Sequence, residues 1–508
     1  MKRQPSPLLI TFAIMMATIM QALDTTIANV ALPHMQGSLN ATLEQASWVL
    51  TSYIVACAIM TAPTGFLAAR LGRKRLFMIS VSGFTFASVL CGLAQTLEEM
   101  VLFRLLQGVF GAGLVPLSQA VLLDTYPKEK HGQAMSMWGM GVMLGPVLGP
   151  SLGGWLTEYY DWRWVFYINL PIGIATLIGI WVFLPETEQD KQRPFDAFGF
   201  VMLSLSIGAL QLLLDRGQSQ DWLNSQEIIL ECVVAALALY LFMVHILTSP
   251  KPFLEPTMFR DRNYLASLIF IFVVGIIMLA SMALLPPFLQ GLMGYPVLDT
   301  GLVLAPRGLG TMLAMMVAGR LVGRVDSRLL MLVGLLLTAY SLWEMSLFTT
   351  EISRWLVVQN GFIQGFGMGF VFVPLSTLAY STLAPHYRND AAAVFSLLRN
   401  IGSSVGISIV TTLLARNIQI NHAELGAHLE NFGAGSMQLN AFMQYMSEGE
   451  QTSALLQLDA LLNKEAATIG YLNDFRLMML VVLLSTPMLL ILKATPTAGG
   501  KPATDAPH

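Results

Sequence analysis

Long apolar runs separated by short polar breaks follow one another along almost the whole chain. A bilayer core about 30 Å thick is crossed by roughly 20 apolar residues in an α-helix, so each run predicts a spanning helix. The runs lie near 8–32, 46–68, 75–95, 99–123, 134–157, 163–184, 197–215, 227–248, 264–290, 299–322, 328–348, 354–381, 390–415 and 472–493, fourteen in all. The longest polar interval, about 416–471, is mainly acidic. Within it, Leu455, Leu456, Leu458, Leu461 and Leu462 recur at helical spacing. That pattern predicts a helix that either lies on the protein's own outer face or docks a partner.

Composition agrees with the pattern. The 508 residues are 55% hydrophobic and 12% charged, against roughly 25% charged residues in an average soluble domain. The apolar run behind Lys2 and Arg3 continues to Pro33 without a small-residue cleavage site, which reads as a retained first span rather than a signal peptide. A net charge of −3 points to no nucleic acid partner. Cys57, Cys91 and Cys232 each sit in an apolar run without His or Cys neighbours at metal spacing, so they read as packing residues, with no disulfide framework or metal site.

An even number of spans puts both ends of the chain on one side, and Lys and Arg show which side. Nineteen basic residues fall on the side of the amino terminus, including Lys2, Arg3, Arg70, Arg73, Lys74, Arg75, Lys191, Arg193, Lys493 and Lys501. Six fall opposite: Arg163, Arg216, Arg354, Arg416, Lys464 and Arg476. Both termini are expected in the cytoplasm.

The chain repeats itself. Gly65, Leu67, Arg70, Lys74 and Leu76 recur in step as Gly319, Leu321, Arg324, Arg328 and Leu330, an offset of 254. Gln107-Gly108 recurs as Gln364-Gly365, and Val115-Pro-Leu-Ser118 as Val373-Pro-Leu-Ser376, at offsets of 257 and 258. The spacing predicts an all-α integral membrane protein of two six-helix bundles, over 1–190 and 261–508, with a two-helix hairpin inserted over 191–260. Two such halves around a midplane site form the architecture of the major facilitator superfamily.

One carboxylate, Asp24, lies deep in the first span, where a charge is costly and commonly functional. It could bond helices together or cap a helix break, or it could take up and release a proton. Burial favours the neutral acid and a nearby cation favours the carboxylate, so a small rearrangement could move the balance. Arg104, at similar depth in the fourth span, is the candidate cation. Gly141, Gly145, Gly149 and Gly153 form a stripe that lets helices approach closely, and Pro146 and Pro150 on the same turns remove two backbone donors and allow a kink. Such a helix suits the contact between the two halves. Arg70 and Arg73 anchor a basic loop that could also gate, since Gly65 and Gly72 bracket a tight turn. Asn29, Arg307, Asn360, Gln364 and Arg399 could line a cavity or bond helices to one another. Glu231 and Glu344, near span ends, are expected to snorkel. No phosphate loop, catalytic triad or metalloprotease motif occurs, so neither an enzyme nor ATP-driven transport is indicated. Thirty methionines and 10% aromatic residues supply adaptable apolar surface.

Several stretches resemble the fourteen-helix drug:proton antiporters of the major facilitator superfamily. They are Leu23-Asp-Thr-Thr-Ile-Ala-Asn-Val-Ala-Leu-Pro33 in the first span, Arg104-Leu-Leu-Gln-Gly-Val-Phe-Gly111 in the fourth and Gly141 to Gly154 in the fifth. Trp162-Arg-Trp-Val-Phe-Tyr-Ile-Asn-Leu-Pro171, Phe195-Asp-Ala-Phe-Gly199 and Leu214-Asp-Arg-Gly217 resemble the EmrB-type branch. The resemblance implies multidrug efflux across the bacterial inner membrane in exchange for protons, the proton being the coupling ion and no other cofactor being needed. It also implies a periplasmic adaptor protein and an outer-membrane channel as partners. The runner-up is export of one endogenous lipid-like or anionic compound such as a fatty acid, which Arg307 and Arg399 would favour; a membrane ligand sensor or channel is the non-transport alternative. Ala69 stands where the superfamily's loop motif usually has an acid, which leaves the expected carboxylate latch between the halves without its carboxylate.

Overall fold

The computed structural model describes residues 6–187, 189–190, 194–252, 254–431 and 448–492. Lys2, Arg3, Lys191, Arg193, Lys493 and Lys501, used above for orientation, lie outside the described residues. Among the described residues the chain is helical, and one isolated bridge, Val322 to Val325, is the only extended pairing.

The first six spans comprise α1 (Pro7–Ser38), α2 (Leu43–Thr61) continued by α3 (Thr64–Leu71), α4 (Arg73–Leu93), α5 (Leu97–Gly111) continued by α6 (Leu114–Thr125), α7 (His131–Tyr159), and α8 (Trp164–Tyr167) continued by α9 (Asn169–Phe183). A hairpin of α10 (Ala197–Arg216) and α11 (Gln226–Thr248) follows. The remaining spans are α12 (Arg262–Pro287), α13 (Val297–Leu321), α14 (Ser327–Met345), α15 (Arg354–Ser381), α16 (Arg388–Asn431) and α17 (Glu448–Ser485).

Among the described residues, twelve spans are long and apolar enough to cross a membrane, and α2 with α3, bent by 56° at Pro63, makes a thirteenth. The fourteenth expected span is α7, which is long enough at 29 residues but diluted by its glycines and by Pro146 and Pro150. Its helix nevertheless runs unbroken through both prolines. The lipid-facing surface is plain on α11, where Leu230, Val233, Leu237, Tyr240 and Leu247 are exposed. Cys57 and Cys91 are buried packing residues as expected, whereas Cys232 is exposed on α11.

The interval 416–471 differs from expectation. Its described part is not a polar loop: α16 continues to Asn431 and α17 begins at Glu448, so two long helices extend past the expected membrane boundary. They bond through His422 and Asp459 at 2.9 Å and Asn421 and the Ala466 carbonyl at 3.4 Å.

α10 bridges the two repeats, since Asp215 accepts from Thr51 of α2 while Gln211 donates to Ser404 of α16 at 2.8 Å. At the basic face the repeats meet directly. Asp124 at the end of α6 pairs with Arg73 at the start of α4 and with Arg388 at the start of α16. Arg73 also donates to Asn389 at 2.7 Å, and Tyr380 donates to Gln119 at 3.2 Å.

Toward the far face one side of α1 becomes uncovered. Positions 14, 18, 21, 25 and 29 share one face of α1 at a period of 3.6. Ile14 and Thr18 are buried, Gln21 is half-buried, and Thr25 and Asn29 are exposed. That face of α1 is therefore covered toward the basic face and uncovered away from it.

Candidate functional site: a buried carboxylate with three donors

Asp24 and Arg104 are both sealed from solvent and form an ion pair at 2.8 Å between Arg104 Nη1 and Asp24 Oδ2. The expected meeting of the first and fourth spans is thus formed. A buried ion pair offsets the cost of leaving water only with good geometry and further hydrogen bonds, and both are present. Gln107 Nε2, one turn along α5 from Arg104, donates to Asp24 Oδ1 at 2.8 Å, and Arg104 Nη1 also donates to Gln107 Oε1 at 2.7 Å. Asn169 Nδ2 gives a second bond to Asp24 Oδ1 at 2.8 Å. Arg104 is held in turn by its Nε bond to the Val49 carbonyl at 3.0 Å and by the faces of Tyr53 and Phe166, 4.3 and 5.7 Å from the guanidinium carbon.

Asn169 and Gln107 are the residues that sequence reasoning left unassigned as site residues. Asn169 begins α9, after the break that separates it from α8, and Pro171 at the third position of α9 needs no hydrogen-bond donor there. The break aims the amide inward, where Nδ2 also reaches Ser88 Oγ at 2.9 Å, while the Ser88 hydroxyl donates to the Phe166 carbonyl at 2.9 Å. The available signal was an Asn directly before Leu-Pro in an otherwise apolar run.

The sequence model of the Major Facilitator Superfamily matches residues 14–407. The chain belongs to this superfamily. Curated relatives extend the likeness over nearly full length. The multidrug export protein EmrB of Haemophilus influenzae is 36% identical over 452 residues, covering 88% of this chain and 89% of its own. EmrB of Escherichia coli is 35% identical with 88% of each chain covered, and the fatty acid resistance protein FarB of Neisseria gonorrhoeae is 36% identical, covering 87% and 88%. Among solved structures, the human organic anion transporter MFSD10 superposes with a TM-score of 0.61 at 15% identity, covering 96% of this chain and 100% of that one, which supports the fold. This superfamily member is thus a multi-pass membrane transporter of the EmrB type.

Its antiporter-motif stripe faces a different partner from the one expected. A β-carbon at Gly141 would meet Met15, one at Gly145 would lie 2.5 Å from the Ala22 carbonyl, and those at Gly149 and Gly153 would meet Thr26 and Ile27. The stripe packs α7 onto α1 within the first repeat. Contact with the second repeat comes from other faces of α7: Ser136 Oγ donates to the Met315 carbonyl at 2.7 Å, Gly132 meets Val322, and Pro150 lies against Gly301. Pro146 leaves the helix continuous, and neither proline breaks α7.

The basic loop of this transporter is locked into the contact between repeats. Gly72, with φ of +84°, makes the turn from α3 to α4 in a conformation that side chains rarely adopt. Gly65 lies against Asp390 so closely that no β-carbon fits. Arg73 enters the Asp124 cluster, while Arg70 is exposed beside the Phe66 ring at 5.9 Å. Ala69 offers no acid here, and Asp124 serves cations from both repeats.

The remaining candidates separate. Asn29 is exposed on the uncovered part of that α1 face. Arg399 is half-buried and stacks on Trp138 across the repeats, with 5.9 Å between its guanidinium carbon and the ring. Arg307 donates to Ser281 Oγ at 2.6 Å and to the Met278 carbonyl at 3.4 Å. Asn360 is sealed against α14, where it bonds Ser341 and donates to Glu344 at 2.6 Å. It joins helices rather than lining the open space. Glu344 is held by this bond, and Glu231 lies 3.7 Å from Arg216; neither simply snorkels.

Proposed function

We propose that this transporter exports hydrophobic and amphipathic compounds across the bacterial inner membrane in exchange for protons, with both termini in the cytoplasm. The observation that carries the reading is the Asp24 carboxylate, sealed in the first span and bonded by Arg104, Gln107 and Asn169. A proton entering from the outer side neutralises Asp24 and weakens its hold on Arg104. Return of the proton to the cytoplasmic side restores the pair. Thr25 and Asn29 sit one and five residues beyond Asp24 on the face of α1 that is uncovered away from the basic face, so the proton and the substrate can share one route. The names of the EmrB relatives support multidrug export.

The same resemblance supports an assembly with a periplasmic adaptor and an outer-membrane channel. At 1.5 Å per residue, the 44 residues of α16 are about 66 Å long, roughly twice the bilayer core. Beyond the membrane, α17 exposes Leu455, Leu456 and Leu461, an apolar surface suited to a helical partner.

Reconstituted protein in liposomes with an imposed pH gradient tests the reading. Accumulation of a lipophilic dye against its gradient, lost with the gradient and in Asp24→Asn, is expected. Transport that persists unchanged in Asp24→Asn would sink the coupling assignment, and downhill leakage alone would indicate a channel.

A further inference from the structure

The two repeats share their helix packing but not their charges. Gly108 of α5 lies against the carbonyl of Tyr53, and Gly365 of α15 lies against the carbonyl of Arg307. The contact therefore follows the sequence repeat, since Tyr53 and Arg307 differ by the 254 residues that separate Gly65 from Gly319. By the 257-residue offset of Gln107 and Gln364, the counterpart of Arg104 is Gly361. In the first repeat a cation from α5 stacks on Tyr53. In the second, the cation stands at the tyrosine's position instead, with Arg307 Cβ 3.6 Å from where Gly361 would carry its own β-carbon.

What balances the charge also differs. Arg104 has Asp24 of α1, whereas α12, the counterpart of α1, contains no Asp or Glu from Arg262 to Pro287. Among the described residues Arg307 has no acidic partner. Its two bonds, to Ser281 and the Met278 carbonyl, both use Nη2, which leaves Nε and Nη1 without partners. The amide differs in the same sense. Gln107 is bonded at both ends, to Asp24 and Arg104, but Gln364 is sealed from solvent with neither its oxygen nor its nitrogen bonded. A cation inside a membrane span without a counter-charge is expensive, and so is a buried amide without partners. Both deficits are those that one carboxylate corrects in the first repeat.

We propose that Arg307, Ser281 and Gln364 form a binding site for a carboxylate-bearing amphiphile, whose headgroup takes the place in the second repeat that Asp24 holds in the first. This rests on the export reading and names a substrate class for it. The guanidinium offers a planar pair of N–H donors to a carboxylate. Gln364 supplies a neutral donor; Ser281, whose own hydroxyl donates to the Ile277 carbonyl at 2.8 Å, steadies the guanidinium; and the apolar helices around them take the tail. Arg307 is partly exposed, which gives the headgroup an approach, while Gln364, one residue before the glycine that packs on the Arg307 carbonyl, is sealed.

The test is binding of radiolabelled decanoate to the full-length protein in lipid nanodiscs, with decanol and tetraphenylphosphonium as competitors and with chloride exchanged for gluconate. Wild type should bind decanoate, with competition by unlabelled decanoate and not by decanol. Arg307→Gln should weaken binding by about ten-fold or more. Ser281→Asp should supply the missing carboxylate from the protein itself, so its melting temperature should rise and decanoate binding should disappear. That gain in stability keeps the proposal testable if Arg307→Gln fails to fold. Decanoate affinity unchanged in Ser281→Asp, or equal competition by decanol, overturns the site. Decanoate binding abolished by chloride and restored in gluconate assigns it to a small inorganic anion and overturns the amphiphile. If tetraphenylphosphonium is bound and exported while decanoate is not bound, the anion site falls and the export reading stands. If neither compound is exported, the export reading itself falls.

Discussion

Arg388, the first residue of α16, and Asp124, at the end of α6, form an ion pair that joins the second repeat to the first at the basic face. Asp124 also holds Arg73, so one carboxylate neutralises two guanidinium groups brought together by closure of that face.

Removing this carboxylate should open the basic face. In Asp124→Asn, Arg73 and Arg388 lose the carboxylate they share and are left as like charges at one face, with Arg73 still bonded to Asn389. The balance should shift toward closure of the far face. Labelling of Asn29→Cys by a membrane-impermeant maleimide measures this, and the rate should fall severalfold when Asp124→Asn is added. An unchanged rate would show that Asp124 does not hold the basic face closed.

Asp24 and Arg104 should be strongly non-additive. Deleting one partner of a sealed ion pair leaves a buried uncompensated charge and costs about 3–5 kcal/mol. Removal of both charges, in Asp24→Asn with Arg104→Gln, should cost less than the two single changes summed. Thermal unfolding of the four proteins of this cycle in nanodiscs measures the coupling; strict additivity would mean that the pair contributes nothing as a pair.

Asn169→Leu should impair coupling more than folding. The change removes one of two donors to Asp24 Oδ1 and leaves Ser88 Oγ without its donor, a cost of about 1–3 kcal/mol. Downhill substrate exchange should continue, while uphill transport driven by a pH gradient should weaken and its pH profile should move. Identical pH profiles in wild type and variant would reduce Asn169 to a packing residue.

Gly145→Leu should lower stability as well as transport. Its added side chain meets the backbone of Ala22, which cannot yield as a flexible side chain can, and overpacking of this kind typically costs about 1–3 kcal/mol. Gly37→Ala provides the contrast, because nothing lies within 4 Å of that position. A melting temperature for Gly145→Leu equal to that of Gly37→Ala would contradict the close packing of α7 on α1.

The spans, the repeat and the pairing of Asp24 with Arg104 were legible in the residue order, for three separate reasons. Span length follows from bilayer thickness, the repeat is written in recurring Gly, Arg, Gln and Pro, and two opposite charges of similar depth in neighbouring spans have few other partners. Asn169 and Asp124 were not legible as partners. Asn169 reaches Asp24 because the sixth span breaks at Ile168, and Asp124 meets Arg388 because α6 and α16 end at the same face. The glycine stripe was recognised as a close contact but assigned to the other repeat, since a four-residue spacing gives the face of a helix and not the identity of its neighbour.

Residue order alone sets which segments enter the membrane, that the chain is built twice over, and where its few intramembrane charges sit in depth. Those properties are local or additive: hydropathy sums along a helix, and depth is a count of residues from its end. Tertiary structure alone decided that Asp24 receives three donors, that Asn360 is bound to α14, and that among the described residues Arg307 and Gln364 have no carboxylate like the one Arg104 and Gln107 share. Each depends on how helices far apart in the chain are turned about their own axes. That rotation is fixed by the packing of all their neighbours at once, through contacts such as those of Gly108 with Tyr53 and Gly365 with Arg307.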